Sequence, residues 1–113
     1  MSRVETHLNI CTWNVGGMVT EGINKCTDDK FIDQIKNFDI VLLTETHIGH
    51  STTIAVDNFS YYPVCRDKSN NNRYFGGLGI LIKKNIRKGI LILQNTNTEL
   101  QWLKLKKEFF HCN

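Results

Sequence analysis

The stretch Ile40-Val41-Leu42-Leu43-Thr44-Glu45-Thr46-His47 decides the fold, because it joins a continuous apolar run to a polar segment. Four consecutive apolar residues of this kind are typical of a strand that is buried on both faces of a sheet. Glu45 then needs solvent, a partner or a cation, since burying an unpaired carboxylate is costly. The stretch therefore predicts a buried strand that delivers polar side chains to one end of a sheet.

A short amphipathic helix is predicted ahead of this strand. Thr27 is the expected N-cap, and the acidic residues Asp28 and Asp29 suit the positive end of a helix dipole. Apolar residues then recur at helical spacing, at Phe31, Ile32, Ile35 and Phe38.

Further towards the N-terminus, Leu8 to Trp13 alternates, with Leu8 and Ile10 on one face and Cys11 and Trp13 on the other. Gly16-Gly17 ends this pattern, which predicts a first strand. About 25 residues separate the two strands, so the pattern is a βαβ unit with parallel strands and a right-handed crossover. The carboxyl ends of parallel strands open on the same edge of a sheet, where α/β proteins bind ligands. We therefore expect Asn14 and Glu45 to lie close together.

The segment after the second strand contains weaker signals. The polar stretch from Gly49 to Asn58 is expected to be a loop, and Tyr61 to Val64 an edge strand, where Pro63 is tolerated. Asp67 to Asn72 is expected to be a flexible connector.

The C-terminal third is predicted to be a strand meander. Gly77 to Ile82 and Ile90 to Leu93 flank a basic turn, Lys83 to Gly89, in the pattern of a hairpin or meander. Leu100 to Leu105 is the last predicted strand.

Length and composition predict a single soluble domain, residues 1–113. The chain has 113 residues, 41% of them hydrophobic, and no apolar run near the roughly 20 residues that span a bilayer. A signal peptide pattern is missing and the four cysteines are irregularly spaced, so we expect an intracellular protein, nuclear or cytoplasmic, with reduced thiols. The net charge is only +3, but seven of the fourteen Lys and Arg lie between Lys83 and Lys107.

Asn14 and Glu45 are the candidate site residues, although each has an ordinary structural explanation. Asn14 follows a strand and precedes two glycines, which suits either ligand contact or a simple turn. Glu45 is either a ligand for a hard cation such as Mg²⁺ or an exposed loop residue. Taken singly, both positions favour the structural explanation.

Three motifs that occur in order along the chain favour the functional explanation for both residues. They are Thr12 to Met18, Asp39 to His47, and Arg73 to Ile80. Together they resemble the endonuclease/exonuclease/phosphatase superfamily, most closely the endonuclease domains of non-LTR retrotransposons. The resemblance implies an α/β fold, the N-terminal half of a four-layer α/β/β/α sandwich of the DNase I type. It also implies a Mg²⁺ ion, with Mn²⁺ as the alternative, at Glu45, and Asn14 beside the metal and the scissile phosphate.

The third motif varies from the usual pattern, with Leu78 at a position where valine is common. Its glycines Gly76, Gly77 and Gly79 are expected to let a strand pack closely beside the site. Arg73 suits phosphate contact and loop closure equally.

Other polar residues are weaker candidates. Lys83 and Lys84 suit DNA backbone contact, although a charged turn is usually a solvated surface. His47 is expected to flank the site and not to act as the general base, and a metal site made by His47 and His50 is only weakly indicated.

The resemblance also implies groups that these 113 residues lack: a histidine–aspartate pair, an aspartate and asparagine around the phosphate, and further metal carboxylates. Candidates of the right type, namely Asp57, Asp67, His50 and His111, lie outside the motifs and are expected to be solvated loop residues. We therefore expect a C-terminally truncated, inactive piece, with self-association or loose packing at the exposed edge of Leu100 to Leu105.

The favoured function is a metal-dependent phosphodiester hydrolase of the DNA endonuclease type. Two alternatives stay open: a non-catalytic remnant that binds nucleic acid or another protein, and a phosphatase or phospholipase of the same superfamily. The expected partners are DNA for the intact domain and a reverse transcriptase domain in a full-length parent, with no membrane.

Overall fold

The computed structural model describes residues 7–49, 52–65, 75–93 and 100–110. Its strands are β1 Ile10–Asn14, β2 Val19–Thr20, β3 Ile23–Asn24, β4 Ile40–Thr44, β5 Phe59–Val64, β6 Leu78–Lys83, β7 Ile90–Leu93 and β8 Trp102–Leu105. Its α-helices are α1 Asp29–Ile35 and α2 Lys107–Phe110, and 3₁₀ turns occupy Lys25–Thr27 and Lys84–Gly89. The predicted connector from Asp67 to Asn72, and the candidates His50, Arg73 and His111, lie outside the described residues.

A four-stranded mixed sheet in the order β1-β4-β6-β5 forms the centre of the protein. β1 and β4 are parallel, with Ile10 opposite Ile40 and Asn14 opposite Thr44, which confirms the predicted βαβ unit. β6 runs antiparallel between β4 and β5. The prediction of an edge strand carrying Pro63 is also confirmed.

Helix α1 begins one residue later than predicted. Asp28 is the N-cap, and its carboxylate accepts a hydrogen bond of 3.0 Å from the backbone nitrogen of Lys30. Thr27 ends the preceding 3₁₀ turn, and its hydroxyl donates to the carbonyl of Asn24 at 2.8 Å. The prediction of Thr27 as the N-cap was therefore wrong, because its side chain is used by the turn before the helix.

The core on the helix side of the sheet is built from alternate strand residues. Val41 and Leu43 of β4 point into it with Leu81 of β6, and Trp13 stacks on Phe31 with ring centroids 5.1 Å apart. Cys11 and Trp13 thus occupy one face of β1, as the alternation predicted. The loop before β5 also takes part.

That loop departs from the expectation of a wholly polar segment. Ile54 and Val56 are buried in the helix-side core. These two apolar residues stand within an otherwise polar stretch, so the composition of the loop did not predict their burial.

The opposite face of the sheet packs against a separate two-stranded sheet formed by β7 and β8. Ile40, Ile80 and Ile82 meet Ile90 there, with Leu103 at the margin. The expected hairpin between β6 and β7 is wrong, since β7 pairs antiparallel with β8 and β6 is already paired on both sides. The turn expected to reverse the chain is a 3₁₀ turn that carries it from one sheet to the other.

A small hairpin formed by β2 and β3 was not predicted. Its turn consists of Glu21 and Gly22, both with left-handed backbone, at φ 53° and 79°. Two consecutive residues of positive φ are typical of a tight hairpin turn, for which Asn-Gly or Asp-Gly is the usual signal. Glu-Gly and strands of two residues give almost no pattern to detect.

The described part of the chain is therefore a mixed α/β domain, with helix α1 and the β7–β8 sheet on opposite faces of a four-stranded sheet. No helix among the described residues has the length and apolar character needed to cross a bilayer.

Candidate active site at the carboxyl edge of the sheet

The predicted site residues Asn14 and Glu45 meet at one edge of the central sheet. Asn14 is the last residue of β1 and pairs in register with Thr44, the last residue of β4. Glu45 follows immediately. The parallel crossover thus brings together two residues that are 31 positions apart in the sequence.

The segment from Glu45 to His47 continues beyond β4, held by backbone hydrogen bonds on both sides. On one side, Gly17 nitrogen donates to Glu45 carbonyl at 2.7 Å and Met18 nitrogen donates to Thr46 carbonyl at 2.8 Å. On the other side, the backbone nitrogens of Thr46 and His47 donate to the carbonyls of Gly77 and Gly76, at 3.3 and 2.8 Å. All three sequence motifs therefore meet at this segment.

Glu45 and His47 both adopt a left-handed backbone conformation, with φ of 57° and 55°. This conformation costs a side-chain-bearing residue roughly 1–2 kcal/mol. It persists only where surrounding contacts determine the backbone, as the hydrogen bonds on both sides do here. Sequence patterns gave no sign of this geometry.

The side chains of Glu45 and His47 are in direct contact. Nε2 of His47 lies 2.6 Å from Oε2 of Glu45, and the two side chains are 32% and 46% exposed, respectively. The rings of Phe75 and His47 meet edge to face, with centroids 6.2 Å apart. The structure therefore brings a third residue to the predicted pair, one that sequence reasoning had regarded as a flanking position.

The side chain of Asn14 is exposed and anchored at one atom. Its Oδ1 accepts a hydrogen bond of 3.1 Å from the backbone nitrogen of Gly16. The amide NH₂ carries two donors, which suit the oxygen atoms of a phosphate. The oxygen of the Asn14 side chain therefore has the predicted role in the turn, and the same hydrogen bond orients the NH₂ donor group.

Beneath this edge, two glycines allow a close approach of β6. A Cβ on Gly77 would overlap Oγ1 of Thr46, and a Cβ on Gly79 would lie 2.5 Å from the Tyr61 hydroxyl. The expected packing role of these two glycines is thus confirmed. Thr46 is fully buried, and neither its hydroxyl nor that of Tyr61 has a hydrogen-bond partner among the described residues.

Tyr61 of β5 and Cys65, which follows β5, are titratable groups whose pKa values are raised by burial. Burial raises the pKa of the Tyr61 phenol well above its ordinary value, and the nearby Cys65 thiol raises it further. Burial also raises the pKa of Cys65. Both groups are therefore held in their neutral forms.

Lys83 and Lys84 lie at the other end of the sheet. Because β6 is antiparallel to β4, Lys83 is level with Asp39, whose carbonyl accepts from its backbone nitrogen at 2.9 Å. This is six residues from Glu45 along β4, or about 20 Å at roughly 3.3 Å per residue. The structure does not bring these lysines to Asn14 and Glu45.

The two lysines instead line a separate groove of about 460 Å³, together with Lys36 and Asp57. The Lys83 ammonium lies 6.0 Å from the centroid of the Phe59 ring. Asp57 is therefore also remote from the candidate site.

A Mg²⁺ ion fits the donor groups at the site. No group of three or more His, Cys, Asp or Glu able to hold a metal occurs among the described residues. However, Mg²⁺ typically retains several water molecules and uses only one or two protein carboxylates together with substrate phosphate. The exposed carboxylate of Glu45, which follows the strand end opposite Asn14, meets that requirement.

Neither a curated protein nor a solved structure matches the chain. The family model described as the Endonuclease/Exonuclease/phosphatase family matches residues 11–108, which include all three motifs. The chain therefore belongs to the endonuclease/exonuclease/phosphatase family.

Proposed function

We propose that this chain forms the metal-binding part of a divalent-metal-dependent phosphodiester hydrolase that acts on DNA, of the retrotransposon endonuclease type. Membership of the family supports phosphate ester hydrolysis in general. The observation that carries the metal-site part of the proposal is the meeting of Asn14 and Glu45 at adjacent strand ends, each with an exposed side chain. The resemblance of the three motifs to retrotransposon endonucleases supports DNA as the substrate.

In the proposed site, Glu45 holds the cation, Mg²⁺ or alternatively Mn²⁺. When bound, the metal polarises the phosphate and stabilises its developing charge. The Asn14 amide donates to a phosphate oxygen and fixes the ester bond against the edge of the sheet. The backbone hydrogen bonds on either side of the segment from Glu45 to His47 hold this arrangement before substrate binds.

The general base comes from a group other than these two residues. The histidine–aspartate pair that the resemblance implies has no counterpart in this sequence. We therefore propose that these 113 residues alone bind metal and DNA but hydrolyse DNA only slowly. Metal and DNA binding are thus the properties that test the proposal best.

Glu45→Gln tests the proposal, because it removes the charge and keeps the side-chain shape. Mn²⁺ binding followed by electron paramagnetic resonance, and nicking of supercoiled plasmid in Mg²⁺, are measured together. We expect Mn²⁺ binding to be lost and any nicking to fall by about 100-fold or more. Asp57→Asn, which neutralises a carboxylate in the remote groove, is the matched control and should change neither. Unchanged metal binding in Glu45→Gln would refute the proposal.

A second candidate, a non-catalytic nucleic-acid-binding module, is favoured by the groove lined by Lys36, Lys83 and Lys84. In that case, DNA binding would not require metal, and the double variant Lys83→Gln/Lys84→Gln would weaken it. The slope of affinity against salt would also fall by about 2, since two phosphate contacts would be lost. Glu45→Gln would have no effect on such binding.

The phosphatase and phospholipase branches of the family use the same kind of site. A panel of plasmid DNA, an inositol phosphate and a phospholipid, assayed with the same Glu45→Gln control, distinguishes these substrates.

A further inference from the structure

The contact between Glu45 and His47 points to a more specific metal site than a single carboxylate. We propose that Nε2 of His47 is a second protein ligand, so that Glu45 and His47 together hold one cation through an oxygen and a nitrogen atom. Such a site favours a first-row transition-metal dication, such as Mn²⁺ or Co²⁺, over Mg²⁺. This inference rests on the proposed function only in placing a cation at Glu45.

The separation of the two atoms fits a shared cation. Oε2 of Glu45 and Nε2 of His47 lie 2.6 Å apart, as a hydrogen-bonded pair. Two neighbouring ligands of an octahedral ion with bonds of about 2.1 Å lie about 3.0 Å apart. The pair therefore needs to open by a few tenths of an ångström, with both side chains turning so that their lone pairs point at the same metal ion.

The backbone holds both ligands on the same side of the segment. Thr46, between them, is fully buried, while both neighbouring side chains are partly exposed. The left-handed conformations of Glu45 and His47 and the hydrogen bonds to Gly17 and Gly77 fix this arrangement. The two ligands are thus positioned by the backbone.

The imidazole is partly exposed and directs Nε2 to the Glu45 carboxylate. The Phe75 ring approaches one part of the imidazole, and a Cβ built on Gly17 would lie 3.6 Å from Nδ1. Nδ1 therefore lies towards Gly17, whereas Nε2 faces the Glu45 carboxylate.

The nitrogen ligand determines the expected metal preference. Mg²⁺ binds oxygen ligands almost exclusively, whereas imidazole is a good ligand for transition-metal dications, whose affinities rise from Mn²⁺ to Co²⁺ and beyond. An oxygen-only site would not show this difference to the same extent. Selectivity between Co²⁺ and Mg²⁺ is therefore the property that His47 should control.

The competing explanation is that His47 only donates a hydrogen bond that positions the carboxylate. His47→Gln separates the two, because the amide can still donate to Glu45 but supplies no imidazole nitrogen. A positioning residue would be replaced well by glutamine. A ligand would not.

The experiment uses the full chain and four forms: wild type, His47→Gln, Glu45→Gln and the remote control Asp57→Asn. Titration calorimetry with Co²⁺ and with Mg²⁺ gives the two affinities, and circular dichroism verifies that each variant is folded. In His47→Gln we expect Co²⁺ affinity to fall by about tenfold or more, with Mg²⁺ affinity changed by less than about threefold. Asp57→Asn should match the wild type.

A spectroscopic measurement adds a result that is independent of affinity. Electron spin-echo modulation of Mn²⁺ bound to the wild type should show coupling to an imidazole ¹⁴N nucleus, and this coupling should vanish in His47→Gln. Absence of nitrogen coupling in the wild type, or an equal loss of Co²⁺ and Mg²⁺ affinity in His47→Gln, would overturn the proposal and leave His47 as a positioning residue. If Glu45→Gln binds both metals as the wild type does, the proposed function itself fails, which is a distinct outcome.

Discussion

Gly77 lies directly against Thr46, and the two residues form the closest approach beneath the candidate site. Gly77 has φ of 91°, and a Cβ there would overlap Oγ1 of the fully buried Thr46. Its carbonyl also accepts the hydrogen bond from the Thr46 backbone nitrogen. The absence of a side chain at this one position therefore allows the backbone before β6 to pair with the segment that continues β4, from Glu45 to His47.

Gly77→Ala should destabilise the fold strongly, because it combines a left-handed backbone with steric overlap. The backbone conformation costs roughly 1–2 kcal/mol for alanine, and overpacking adds roughly 1–3 kcal/mol. Gly22→Ala is the matched control, since φ is 79° there but no atom lies within 4 Å of the added Cβ. Urea unfolding followed by circular dichroism should show the larger loss for Gly77→Ala. Equal losses would mean that the contact with Thr46 contributes nothing.

Stability should decline at alkaline pH through Tyr61. Burial raises the pKa of its phenol above the ordinary value of about 10. The unfolded chain therefore loses this proton first, so the contribution is fully present below pH ~10 and is lost as pH rises towards the folded-state pKa. The free energy of unfolding should fall by up to about 1.4 kcal/mol per pH unit in that range.

Tyr61→Phe isolates this effect from the thiols of Cys11 and Cys65, whose pKa values burial also raises. Because the Tyr61 hydroxyl is buried without a partner among the described residues, the variant should be as stable as the wild type at neutral pH, or more so. Urea unfolding at a series of pH values should give a shallower decline for Tyr61→Phe above pH ~10. Parallel curves would contradict the prediction.

The sequence was sufficient to predict the βαβ unit because its signals are local and strong. The apolar run of β4 and the alternation of β1 fix two strands, and the connection length fixes their parallel pairing. That pairing alone brings Asn14 and Glu45 together. The position of the candidate site therefore followed from local sequence signals, without knowledge of any long-range contact.

The features that escaped prediction depend on contacts between distant segments. Nothing local distinguishes the pairing of β7 with β8 from the pairing of β7 with β6, since all three strands are apolar. The contact of His47 with Glu45 arises from backbone angles imposed by neighbouring segments. A Glu-x-His pattern was its only trace in the sequence.

The corrected helix start gives a test of helix capping. Asp28→Ala removes the side-chain bond to the Lys30 nitrogen and an acidic group at the positive end of the dipole, which should cost about 1 kcal/mol. Thr27→Ala removes an exposed hydrogen bond in the preceding turn and should cost less, about 0.5 kcal/mol. Thermal unfolding of both variants measures the difference. A larger loss for Thr27→Ala would restore Thr27 as the capping residue.

Asn14→Ala should separate function from stability. The side chain is exposed and its oxygen makes one hydrogen bond, to Gly16, so the loss in unfolding free energy should be at most about 1 kcal/mol. Loss of a phosphate donor should nevertheless weaken metal-dependent DNA binding by about tenfold or more, as expected for a hydrogen bond to a charged group. Thr12→Ala, an exposed change in the same strand, is the control for both measurements. A metal-dependent DNA affinity like that of Thr12→Ala would remove Asn14 from the site.

Self-association is the remaining expectation, and the structure indicates where it should occur. No strand among the described residues pairs with the outer edge of β1, where Ile10 is 48% exposed. Beside it, Trp102 is 56% exposed and lines an apolar groove of about 220 Å³ with Ile10, Leu42 and Leu103. A bare strand edge next to exposed apolar side chains is a surface that tends to pair with another chain. Sedimentation velocity should therefore show association that increases with concentration, and Trp102→Lys should reduce it, whereas Lys84→Gln in the remote groove should not. A monomer at every concentration, with a sharp cooperative melt, would show that this surface is tolerated in water.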